Sequence, residues 1–263
     1  MKKGIGSEYR RKLASVVRIA GGIITPKLVS ETLTLPLQES GRILSRWNNQ
    51  GWVKRIKHGV YIPIAVDDMT GESSIEDSWI LANRLFSPGY IAGFSAVKHW
   101  GFSEQLFETT TFFTAKKIKN RYPLIGNTRF QLKTISDYKI FGTQTVWRDN
   151  TKILVSDPSK TIIDLFDDPS IVGGMRIVKD IFQEYKESNF FDLKKLISYA
   201  EKINNKTTLK RLGFLMENMG IYELIAEYNL PSKISKGYSL LDPTIKNTSI
   251  VRKWNLKIPD SWK

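Results

Sequence analysis

The stretch that decides the architecture is RILSRWNNQGWVKRIKHGVYIP, Arg42 to Pro63. Its first half sets Ile43, Leu44 and Trp47 on one helical face and leaves Arg42, Ser45 and Arg46 on the other. Gly51 stops that helix. WVKRIK and VYIPIA then read as two short β-rich runs around His58-Gly59, a dipeptide suited to a tight turn because glycine takes positive φ without steric cost. A short hairpin normally closes a core. This one also carries Lys54, Arg55 and Lys57, directly after a basic helix.

The residues upstream explain the combination. Leu13, Val16, Val17 and Ala20 predict a helix over 8–20, ended by Gly21-Gly22. Thr25-Pro26 offers an N-cap followed by proline at the first helical position, opening a second helix over 26–33. Thr34 to Pro36 breaks the chain before the third helix, 37–49. Three helices and a hairpin within residues 1–66 is the order of a winged helix-turn-helix, in which the third helix enters the DNA major groove. A wing lies along the DNA backbone, so its solvent face needs cations. Trp52, Val53, Ile56, Val60 and Ile62 are expected to pack on the helices, and Trp47 to lie in the core. Lys54, Arg55 and Lys57 are expected at phosphates, His58 at the tip, and Tyr61 either packed or bonded to a phosphate. Arg42 and Arg46 stand where they reach bases or flanking phosphates.

Composition agrees. The chain has 263 residues and a net charge of +14, unevenly spread. Residues 1–64 hold 12 Lys and Arg against 3 Asp and Glu, whereas residues 65–263 hold 28 against 23. That asymmetry suits a polyanion-binding module joined to a nearly balanced body; the plain alternative is a solvated basic face. The absence of Cys excludes disulfides, thiolate metal sites and a Cys nucleophile, and with only His58 and His99 neither a His-based metal site nor any cofactor is expected. No apolar run approaches the roughly 18 residues of a membrane span, and no signal-type segment follows the basic N-terminus, so the expectation is a cytoplasmic chain without membrane contact.

DDMTGESS, 67–74, reads as a linker, with Ser74 an alternative cap for a helix over 75–86. The second domain, 75–263, is expected to be mixed α/β. Strand-like runs fill 107–155, mostly antiparallel because they are consecutive, and helices follow over 159–167, 173–187, 191–203 and 206–219. Residues 230–263, with three prolines, read as an irregular tail on the body. The class is therefore α+β.

Two segments of that domain carry candidate chemistry, VSDPSKTIIDLFDDPSIVGG (155–174) and KTTLKRLGFLMENMG (206–220). Asp157 suits an N-cap. Lys160 in the first turn opposes the helix dipole, and Asp164 shares its face one turn on. Lys160, Asp164, Lys210 and Arg211 either converge on an anion-binding surface or form a structural pair and a solvated face. DPSK has the wrong spacing for a metal-nuclease acid-x-Lys pair, and no phosphate-cradling glycine loop or kinase signature occurs, so no catalytic residue is assigned.

GGIITPKLV, GWVKRIKHGVYIP, GYIAGFSAVKHWGF, SDPSKTIIDLFDDPSIVGG and LKRLGFLMENMG, in that order over roughly residues 8–220, together resemble the AbiEi antitoxin family of transcriptional regulators of viral defence systems. The resemblance implies an N-terminal winged helix-turn-helix that represses its own operon. It also implies a C-terminal domain that antagonises a co-encoded nucleotidyltransferase-like toxin without a stable complex, as in type IV toxin–antitoxin, abortive-infection systems. The expected partners are then operator DNA and, functionally, that toxin. The chain shows no sustained heptads, so a monomer that pairs on inverted repeats is expected. A DNA-docking defence nuclease and a ligand-responsive regulator are the rival readings.

Overall fold

In the computed structural model the described residues are 7–20, 22–64, 77–105, 108–125, 128–148 and 151–263. The N-terminal unit contains α1 (Ser7–Ala20), α2 (Pro26–Leu33), α3 (Leu37–Asn49) and an antiparallel hairpin of β1 (Val53–Lys57) and β2 (Val60–Pro63). Thr25 caps α2 as its sequence suggests, its Oγ1 accepting from Leu28 N at 3.2 Å. Only Thr34, Leu35 and Pro36 separate α2 from α3, and Thr34 turns the chain in the left-handed region at φ 54°. Val16, Ala20, Ile24, Val29, Leu44, Trp47, Val53 and Tyr61 form a core of the unit's own. The hairpin is sewn to the helices by a two-way bridge between Ile24 and Tyr61, 2.7 and 2.8 Å. Gly59 makes the tip at φ +69°.

The proposed linker, 67–74, and Ser74 lie outside the described residues. The helix after it, α4 (Ser78–Phe86), is capped by Asp77, whose Oδ1 accepts from Trp79 N at 2.7 Å and Ile80 N at 3.4 Å. Ile23 and Val60 do not join the unit's own core. They pack with Leu81, Ala82 and Leu85 of α4, and Ile56 leans on the same cluster. Arg84 adds a hydrogen bond to the Ala20 carbonyl at the end of α1. A fragment of residues 1–66 should therefore keep helical circular dichroism and general DNA affinity. It should melt below the full chain, because Ile23 and Val60 lose their cover. Loss of helical signal in the fragment would mean that the two cores are one.

The body is built on a six-stranded sheet in the order β5-β6-β4-β3-β8-β7. Its strands are β3 (Gly89–Ile91), β4 (Thr110–Thr114), β5 (Leu124–Ile125), β6 (Thr128–Thr134), β7 (Thr143–Arg148) and β8 (Thr151–Ser156). Three of the five junctions are antiparallel; β4–β6 and β3–β8 are parallel. Neither parallel pair is consecutive in the chain, which is where the adjacency argument stops applying. The two-residue period sorts the side chains. Ile91, Phe112, Phe130, Leu132, Ile153 and Val155 share one apolar cluster with α4, and Tyr90, Phe113 and Ile135 belong to another.

Around the sheet lie α5 (Gly93–His99), α6 (Pro158–Asp167), α7 (Met175–Glu187), α8 (Leu193–Lys202) and α9 (Lys206–Asn218). Residues 158–166 of α6 and 208–216 of α9 are buried all round. The segment after α9 is more regular than expected. It forms α10 (Tyr222–Glu227), α11 (Leu230–Lys233) and a small sheet of β9 (Ser239–Leu240), β10 (Ser249–Val251) and β11 (Leu256–Ile258). Trp254, fully buried, lies flat on Gly213, where a Cβ would meet its ring at 2.1 Å. Among the described residues no helix is long and apolar enough to cross a membrane.

Candidate functional site

The outer face of α3 is polar along its length. Gln38, Arg42, Ser45, Arg46 and Asn49 are all exposed, at the spacing of one helical stripe. The opposite stripe, Ser40, Leu44 and Trp47, is buried. Gln38, Arg42, Ser45, Arg46 and Asn49 join Arg55, His58, Gly59 and Tyr61 of the hairpin in lining an open hollow of about 790 Å³. A second hollow of about 410 Å³ lies against α1, lined by Tyr9 and Lys12 among others. Gln38, Arg42 and Arg46 line both, so they stand as the ridge between them.

The side chains on this ridge are held. Arg46 Nη1 donates to Tyr9 Oη at 3.0 Å, and its guanidinium sits 5.9 Å from the Tyr9 ring centre. Asn48 Oδ1 accepts from Arg55 N at 2.8 Å, fastening the end of α3 to the hairpin. At the tip Arg55 Nη2 donates to His58 Nδ1 at 2.8 Å, which puts the proton of that neutral ring on Nε2. The hairpin register slips between Arg55 and Lys57, a bulge that raises local twist.

The structure brings together Arg42, Arg46, Arg55 and His58 on one exposed surface. Lys54 is half-buried on β1, and the side chain of Lys57 lies outside the described ones. Tyr61 is 5% exposed and belongs to the core, so of its two expected roles packing is the main one. Gln38, Asn49 and Tyr9 were not singled out by sequence. The first two follow from extending the Arg42 and Arg46 stripe by one turn each way; Tyr9 needed the placement of α1.

The second group of predicted residues requires a correction. Lys160 and Lys210 are 0% exposed, Asp164 2% and Arg211 5%, so they do not form an anion-binding surface. Lys160 Nζ is bonded to Asp164 Oδ1 and, at 2.7 Å, to Tyr90 Oη, which itself donates to Asp164 Oδ2 at 3.0 Å. Burial pushes the Lys160 ammonium below its ordinary range while Asp164 pulls it back; burial likewise pushes Asp164 up against the pull of Lys160. The dipole conflict at Lys160 is met by this triad and by Asp157, whose Oδ1 accepts from Lys160 N at 2.8 Å.

Arg211 works at the other end of α6, roughly 10 Å along its axis. It donates to Phe166 O at 2.9 Å, Asp167 O at 3.2 Å, Leu240 O at 3.0 Å and Leu241 O at 3.0 Å. That is a cation closing the free carbonyls of a helix C-terminus and tying the tail to it. Lys210 is bonded to Gly237 O and to Ser239 Oγ at 3.3 Å. The apolar stretches around these cations hid their burial from sequence reading. Among the described residues no three His, Cys, Asp or Glu side chains gather as metal ligands would.

No protein-family model matches the chain, and no curated protein matches it in sequence. The fold does recur. The crystal structure of the RV2827C protein from Mycobacterium tuberculosis aligns over 97% of this chain and 92% of that one, with a TM-score of 0.63 at 14% identity.

Proposed function

We propose that this chain is a sequence-specific DNA-binding regulator, with α3 as the reading helix and the β1–β2 hairpin as its wing. The observation that carries the reading is the exposed ridge of Gln38, Arg42, Ser45, Arg46 and Asn49 beside the Arg55–His58 tip. An α-helix with its side chains is about 10–12 Å across and the major groove about 12 Å wide. Arg pairs with guanine O6 and N7, and Asn and Gln with adenine N6 and N7, so the ridge carries base-reading groups of both kinds. Cations at the tip supply the sequence-independent hold on phosphates.

The ordered motif blocks that resemble the AbiEi family support a narrower reading. In it the chain represses its own operon and acts as the antitoxin to a co-encoded nucleotidyltransferase-like toxin. The neutralising surface is not assigned to Lys160, Asp164, Lys210 or Arg211, because those side chains are committed internally. A toxin reading frame beside this one, silenced on co-expression, is the finding that supports the narrower reading; a neighbour without toxicity counts against it.

The wing is tested by salt. Replacing Lys54, Arg55 and Lys57 with Ala should weaken binding to every duplex alike. It should also flatten the slope of log K against log salt by roughly 0.9 per lost phosphate contact. A slope equal to that of the parent chain would remove the hairpin from the interface.

A further inference from the structure

Outside the N-terminal unit the positive charge is concentrated in one place. From Thr109 to Ser136 the sequence has six of the 28 Lys and Arg found in residues 65–263 and none of the 23 Asp and Glu. The remainder of that part carries 22 basic against 23 acidic residues. The run covers β4, the connection to β5, and β6, at one edge of the large sheet.

Five of its six cations, Lys116, Lys117, Lys119, Arg121 and Arg129, are exposed. The sixth, Lys133, turns to Asp167 and Asp168 at 3.6 and 3.0 Å. Elsewhere in the body Lys139, Lys195, Lys233 and Lys253 each hold a carboxylate. Among the described residues no carboxylate pairs with any of the five; Lys116 Nζ has only the Leu85 carbonyl at 3.3 Å. Two large side chains stand exposed among them, Tyr122 at 68% and Leu124 at 65%. Like charges gathered without counter-ions repel one another, which disfavours such a cluster unless an anion covers it. A tyrosine hydroxyl among cations is a usual donor to phosphate oxygens.

The patch shares its footing with the wing. Ile118, Ile125 and Phe130 belong to the same apolar cluster as Ile56 and Val60. The helix that seats the hairpin, α4, packs on β3, β4 and β8, whereas β5 lies beyond β4 and β6. The separation is two to three strand spacings, roughly 10–15 Å. One turn of B-form DNA is about 34 Å, so a duplex seated on α3 has phosphates within that reach.

We propose that Lys117, Lys119, Arg121 and Arg129, with the Tyr122 hydroxyl, form a second phosphate-contact surface that holds duplex DNA flanking the segment read by α3. The assignment rests on the DNA-binding reading above and extends the contact from the N-terminal unit to the body.

The test uses the full chain and a variant with Lys117→Gln, Lys119→Gln, Arg121→Gln and Arg129→Gln, all at exposed positions. The probes are two duplexes from the DNA upstream of the chain's own reading frame, one of about one and a half turns and one of about four turns. On the long duplex the variant should lose about 3–4 units of salt slope and at least tenfold in affinity. On the short duplex it should match the parent. An unchanged slope on the long duplex would overturn the proposal while leaving the α3 reading intact, and the patch would then be a solvated face. Equal losses on both duplexes would also overturn it, as a general charge effect. Loss of toxin neutralisation with DNA binding intact would reassign the patch to an acidic protein surface. A parent chain that binds neither duplex would bring down this proposal together with the reading it rests on.

Discussion

Replacing Asp164 with Ala is expected to destabilise the chain by about 3–5 kcal/mol, the range for breaking one side of a buried ion pair. Lys160 is wholly enclosed, with the Phe141 and Tyr90 ring centres 5.0 and 4.9 Å from its Nζ, and without Asp164 it keeps only the Tyr90 hydroxyl as a bonded partner. For a chain of this size the melting temperature should fall on the order of 10 °C. Substituting Lys160→Met, Asp164→Leu and Tyr90→Phe together should recover most of that loss, because an apolar replacement of similar volume removes the desolvation cost along with the attraction.

The pH dependence has a definite sign. In the Asp164→Ala chain burial still pushes the Lys160 ammonium down, and the carboxylate that raised it is gone. The unfolded chain then binds more protons than the folded one above the lowered folded value. The deficit should therefore shrink as pH rises from about 7 towards about 10, as the enclosed amine becomes neutral. Denaturant titrations at the two ends of that range measure it. A deficit that does not change with pH would mean that Lys160 escapes to solvent when its partner is removed.

The parts of this structure that sequence made legible are those where a local pattern has one physical solution. Thr25-Pro26, Asp157-Pro158 and the stripe of Ile43, Leu44 and Trp47 each fix a helix by capping or by period, and the structure places α2, α6 and α3 there. Tyr90 and Ile91 sit on opposite faces of a strand only three residues long, too short to show alternation, and β3 was missed for that reason. Lys160 and Arg211 show the same limit for side chains. Each is a cation in a mixed helix, and only the packing of α6 against α9 and the tail decides that it faces inward. The edge patch at Lys117 to Arg129 was concealed differently. Averaged over residues 65–263 its charge is offset by distant acids, whereas the field at a surface depends on what is near.

The second large effect concerns Arg42 and Arg46. Each is exposed on the α3 ridge, and Arg46 is oriented by Tyr9 at 3.0 Å. A base-reading arginine is worth about 1–3 kcal/mol of discrimination, so replacing both with Ala should cost about 2–6 kcal/mol on the preferred duplex. On DNA of shuffled sequence the loss should be much smaller, since only phosphate attraction is affected there. Tyr9→Leu should give a lesser loss in the same direction by freeing Arg46, with the fold intact. The measurement that decides the account is the ratio of two affinities at one salt concentration, for the upstream duplex and for a shuffled duplex of equal length and composition. The parent chain should favour the upstream duplex by roughly a thousandfold or more, and the Arg42→Ala, Arg46→Ala chain should lose most of that ratio. Equal affinities for the two duplexes in the parent chain, or a ratio untouched by removing both arginines, would contradict the assignment of α3 as a reading helix.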